Sequence, residues 1–102
     1  MNDNNKNEVL LKEFNNKYNL SIKDIKINKL DLSFKGLGNE GLNDLCKIEF
    51  KELKGLYLYW NNISDIKVLE KVKFDKLKIL NLGGNKISKK ENISIISKLN
   101  QK

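Results

Sequence analysis

Residues suited to nucleophilic or transition-metal chemistry are few in this chain, and its acids are not spaced as a pair for proton transfer. There is one cysteine, Cys46, and no histidine in 102 residues. Neither a thiolate–imidazole pair nor a serine–histidine pair can therefore be assembled. The same shortage removes the usual transition-metal ligand sets. Asp65, Glu70 and Asp75 fall in what read as turns and an outer face, with nothing paired for proton transfer. Gly36-Leu37-Gly38 and Gly83-Gly84 lack the glycine spacing and the following Lys-Ser/Thr of a phosphate loop. No catalytic residue, metal site or cofactor is expected. What remains is aromatic: Phe34, Tyr57, Tyr59 and Trp60 hold four of the eight aromatic residues, the single Trp included. Large rings with few torsions to freeze are the chemistry of a binding surface.

The elements that must position those rings form a repeating pattern. Leu53-Lys-Gly-Leu56-Tyr-Leu58-Tyr-Trp-Asn61-Asn-Ile63 recurs 24 residues later as Leu77-Lys-Ile-Leu80-Asn-Leu82-Gly-Gly-Asn85-Lys-Ile87. An imperfect copy lies upstream at Ile27-Asn-Lys-Leu30-Asp-Leu32-Ser-Phe-Lys35-Gly-Leu37, two residues further away. The return halves keep the same register: Leu42, Leu45, Ile48, Phe50 and Leu53 match Ile66, Leu69, Val72, Phe74 and Leu77. The two additional residues fall in the turn Gly38-Asn-Glu-Gly41, where insertion costs little. Leu42/Leu45 and Ile66/Leu69 have the spacing of short helices, with Asn39 and Asp65 as expected N-caps.

A period of this length, apolar at positions 1, 4, 6 and 11 with Asn at 9, resembles the leucine-rich repeat. The resemblance implies an α/β solenoid with about three parallel strands on a concave face, short helices on a convex face and helical caps at both ends. It implies that Leu30, Leu32, Leu56, Leu58, Leu80 and Leu82 point into the core, each contributing about 1.5–3 kcal/mol if fully buried. It also places Asn61 and Asn85 in a structural ladder of buried amides, with Lys35 breaking that ladder in the first copy. The concave face is the family's usual binding face. Across it run the columns Lys29/Gly55/Ile79, Asp31/Tyr57/Asn81, Ser33/Tyr59/Gly83 and Phe34/Trp60/Gly84. The expected partner site is therefore Phe34, Tyr57, Tyr59 and Trp60 with Asp31 and Asn81, rimmed by Lys29, Lys54 and Lys78. Gly83 and Gly84 should leave a shallow recess beside the rings. The plain alternative is that rings favoured by strands merely pack on one another across the sheet.

Around the repeats, residues 1–7 read as a disordered polar tail and 8–26 as an N-terminal cap. That cap would hold a helix over Glu8–Tyr18, a turn near Asn19 and extended chain through Leu20, Ile22, Ile25 and Ile27. Residues 27–88 carry the three repeats. Ser88-Lys-Lys-Glu91 fits a capping box, and 89–102 read as a closing helix.

Composition bounds the rest. At 39% hydrophobic and 32% charged, 102 residues make one soluble domain rather than a disordered chain. The formal charge is +7, yet every basic residue is Lys, which argues against sequence-specific nucleic-acid reading by arginine forks. No apolar leader or membrane-length apolar run is visible, and one cysteine fits a reducing compartment, so cytoplasm is expected. The function expected is a noncatalytic module that binds another protein, as a regulator or scaffold. Two alternatives stay open. One is an electrostatic binder of RNA or anionic surfaces through Lys47, Lys51, Lys67, Lys71, Lys73 and Lys76. The other is a structural piece of a longer repeat array.

Overall fold

The computed structural model describes residues 3–72 and 74–87. The expected closing helix over 89–102, its capping box and Lys73 lie outside the described residues. Helix α1 (Asp3–Tyr18) is followed by strand β1 (Lys29–Asp31), helix α2 (Gly38–Leu45) and strand β2 (Gly55–Tyr57). A 3-10 turn (Lys67–Glu70) and strand β3 (Ile79–Asn81) follow among the described residues. The strands form an open parallel sheet in the order β1-β2-β3, giving a small α/β domain. Lys29 pairs with Gly55 and Gly55 with Ile79, so the register steps by 26 and then 24 residues, as the sequence spacing predicts. No helix among the described residues is long and apolar enough to cross a membrane.

The core sits between the sheet and the return chain. Leu30, Leu32, Leu56 and Leu58 are buried, and so are Leu42, Leu45, Ile66 and Leu69 from the α2 and 3-10 side. Leu80 and Leu82 on β3 are half-buried. Phe50 and Phe74 fill the turns before β2 and β3 and meet edge to face, centroids 6.0 Å apart. Leu11 and Phe14 of α1 close the β1 end of this core.

Polar contacts depart from expectation in several places. Residues 3–7 are the first turn and more of α1 rather than a tail. Asn7 is 4% exposed, and its Oδ1 accepts the Glu49 amide at 3.1 Å, which ties the helix to the chain leaving α2. At its other end α1 stops as predicted. Asn19 turns left-handed (φ 55°) and the Leu20 amide reaches back to the Asn15 carbonyl at 2.9 Å. Asn15 then clasps both backbone groups of Ile22, and a turn at Ile25-Lys26 interrupts the extended run expected there.

Asn39 does not cap α2, whose N-cap position is Leu37 with no side-chain bond. Its amide reaches across to the following segment, accepting from the Ser64 and Asp65 amides and donating to Ser64 Oγ. Asp65 lies one residue ahead of the N-cap Ile66 and still accepts the Lys67 amide at 3.0 Å. Cys46 is partly buried against the core.

An ionic clasp joins α1 to α2. Tyr18 donates to Asp44 at 2.7 Å, and Lys17 bonds Glu40 at 2.7 Å and Asp44 at 3.0 Å. Partial burial pushes the Asp44 carboxyl up, but the bonds from Tyr18, Lys17 and Lys47 outweigh it and hold the group below the usual carboxylate range.

Candidate binding face

Each strand runs into a turn whose first residues carry the aromatic positions. Backbone bonds continue past the strands themselves: Leu32 N–H to Tyr57 at 2.8 Å, Phe34 N–H to Tyr59 at 2.9 Å and Trp60 N–H to Gly83 at 3.0 Å. Phe34, Trp60 and Gly84 then occupy equivalent left-handed positions, with φ of 59°, 55° and 73°. For a residue with a Cβ that conformation costs about 1–2 kcal/mol.

Asn61 and Asn85 bond these turns. Asn61 is fully buried; its Oδ1 accepts the Lys35 and Leu37 amides at 3.0 and 3.2 Å, and its Nδ2 donates to the Leu32 carbonyl at 2.8 Å. Asn85 does the same one segment on. It accepts the Asn61 and Ile63 amides, both at 2.9 Å, and donates to the Leu58 carbonyl at 2.7 Å. Each amide thus satisfies the turn before its own. No such turn precedes β1, which is why Lys35 can stand where an Asn is expected.

The outer face is as the column reading places it, with one correction. Phe34 is 71% exposed, Trp60 60% and Ile79 47%; Tyr59 is exposed and Tyr57 half-buried. Phe34 and Trp60 stack with ring planes 17° apart and centroids 6.3 Å apart, and Tyr57 and Tyr59 lie tilted at 6.5 Å. The recess expected at Gly83 and Gly84 is filled by rings from the preceding segment. A Cβ on Gly84 would overlap the Trp60 indole, and one on Gly83 would come within 2.9 Å of the Tyr59 ring. Tyr57 in turn lies over Gly55, where a Cβ would sit 3.1 Å from its ring. The face is thus a relief of flat rings on glycine backbone rather than a pocket.

Charge frames that relief. Lys29 places its ammonium 5.1 Å from the Tyr57 centroid. Asp31 is exposed; hydrogen bonds from Ser33, with Lys29 and Lys35 nearby, hold its carboxyl below the usual range, so it stays ionised. Asn81, half-buried, pairs with Tyr57 in the sheet register. All six expected site residues therefore come together on one face. Two features were not foreseen, the left-handed backbone under Phe34 and Trp60 and the lysine at Lys86 on the third turn. Only the glycine at position 84, equivalent to both rings, hinted at the first.

No cluster of His, Cys, Asp and Glu suited to a metal ion exists among the described residues. Burial pushes the Cys46 thiol up to about 12, leaving it protonated and a poor nucleophile at neutral pH. A concavity of about 560 Å³ lies away from the rings, between α1 and residues 22–26. No family model matches the chain, and no curated protein or solved structure matches it.

Proposed function

We propose that the chain is a short leucine-rich repeat solenoid that works as a noncatalytic protein-binding module. Its three strand-and-turn segments would be successive coils, and the sheet's outer face the concave docking surface. The parallel register, stepping by 26 and then 24 residues, and the two asparagines that each serve the turn before them support the architecture. Within it, the partner contacts fall to Phe34, Trp60, Tyr59 and Tyr57, with Asp31 and Asn81 beside them. A single cysteine suits a cytoplasmic setting.

One observation carries the binding role. Phe34 and Trp60 are large rings held in solvent on left-handed backbone, at a turn position that Gly84 fills without strain. The fold has no need of a ring there, because the third segment makes the same turn with none. Strained and exposed aromatic side chains together mark a surface kept for contact. The runner-up, a lysine-rich helical face, is weaker, since Lys47 and Lys76 are already bonded to Asp44 and Glu52.

The test is a partner-binding titration with wild type and Trp60→Gly, since glycine suits the backbone at that position. Binding should weaken by about 2 kcal/mol or more while the far-UV spectrum and unfolding midpoint hold. Undiminished affinity in a folded Trp60→Gly protein would remove the reading.

A further inference from the structure

We infer that the partner segment seated on the rings is an acidic peptide; the inference rests on the protein-binding reading of that face. Five lysines lie at the ends of the strand segments that carry the aromatic relief. Lys29, Lys54 and Lys78 lie at the starts of the three strands, where Lys54 and Lys78 occupy successive backbone rungs. Lys35 and Lys86 lie on the turns at the opposite ends of the strands. All five are exposed. The ion pairs among the described residues join Lys17, Lys47 and Lys76 to acids of α2 and of the turn before β2, and none involves these five. The face thus offers apolar rings between two lysine-bearing rims, about one strand length apart, with the Asp31 carboxylate near Lys29 and Lys35. A segment with an apolar side chain over the rings and carboxylates toward the rims complements it on both counts.

Single-stranded nucleic acid would also meet rings and lysines. Asp31 weighs against it. That carboxylate lies on the middle row, level with Tyr57 and Asn81, and stays ionised. A polyphosphate brings a negative charge at every residue and must set one against Asp31. A peptide can turn a backbone N–H toward it and keep its acids over the lysines.

Trp60 is the only tryptophan in the chain, so its emission reports occupancy of the face directly. The whole protein would be titrated with a glutamate–tyrosine copolymer, a lysine–tyrosine copolymer and oligodeoxythymidylate. Only the acidic copolymer should shift Trp60 emission, and its affinity should fall about tenfold or more on raising salt from about 0.05 to 0.5 M. The triple variant Lys29→Gln/Lys54→Gln/Lys78→Gln should weaken it comparably, whereas Lys51→Gln/Lys67→Gln/Lys71→Gln, exposed on the helical side, should not. Equal loss in both triple variants would reduce the effect to overall charge and overturn the inference. An equal response to the basic copolymer would also overturn it while leaving the face as a protein-binding surface. Binding of oligodeoxythymidylate alone would transfer the face to nucleic acid and sink both readings. Silence of Trp60 toward every probe would overturn the acidic-peptide inference, and the Trp60→Gly titration above decides the broader reading separately.

Discussion

The indole of Trp60 lies flat on the backbone of Gly84, one segment further along the chain and at the same place in its turn. A Cβ at position 84 would overlap the ring, and φ of 73° there disfavours any residue with a side chain. Gly84→Ala should therefore cost about 2–3 kcal/mol of stability and disturb Trp60 emission. In a Trp60→Gly background the overlap is gone and only the backbone strain of about 1–2 kcal/mol should remain. A double-mutant cycle from urea unfolding measures the difference, and equal costs in both backgrounds would contradict the contact.

Trp60→Gly alone should be close to neutral for folding, within about 1 kcal/mol. Relief of left-handed strain offsets the lost ring contacts and the added freedom of the unfolded chain. Urea midpoints of the two proteins supply the comparison.

Asn61→Ala should be far more damaging. It strands the Lys35 and Leu37 amides and the Leu32 carbonyl in a buried turn, and about 3–5 kcal/mol should be lost. Lys35→Asn, which has no earlier turn to serve, should change stability by no more than about 0.5 kcal/mol. If equilibrium unfolding finds the two substitutions alike, the directional account of the ladder is wrong.

The α1–α2 clasp sets a pH dependence with two arms. Burial and the bond to Asp44 push Tyr18 up to about 12 from an ordinary 10. Its contribution is complete below pH 10 and falls between 10 and 12, where the unfolded chain ionises first. The lowered Asp44 carboxyl gives the opposite arm, present above about pH 4 and lost as pH falls through its folded value. Tyr18→Phe should flatten the alkaline slope, leaving a remainder from Lys17, whose own affinity for its proton is raised by Glu40 and Asp44. Urea midpoints across the pH range test this; an unchanged slope in Tyr18→Phe counts against the clasp.

What could be read from the residues divides by the distance over which each interaction acts. The leucine spacing determines which side of the chain is inward, so the strand register of Leu30, Leu56 and Leu80 was legible. Asp31, Tyr57, Tyr59 and Asn81 followed from the same alternation, whereas Phe34 and Trp60 share the parity of the core leucines and face outward on left-handed turns. Asn7, Asn15 and Asn39 were not legible, because a polar side chain carries no periodicity and two of the three find partners 25 to 42 residues away. The recess at Gly83 and Gly84 was misjudged for a related cause. A glycine leaves space only if no neighbouring segment fills it, and here Tyr59 and Trp60 do.

The one-way dependence of the asparagine bonds bears on synthesis. Because Asn61 ties off the turn at Lys35, and Asn85 the turn at Asn61, each loop is locked by residues that leave the ribosome later. A nascent chain halted before Asn85 has emerged would hold its first loop latched and its second unsealed, so protease resistance should advance along the chain in discrete steps behind elongation.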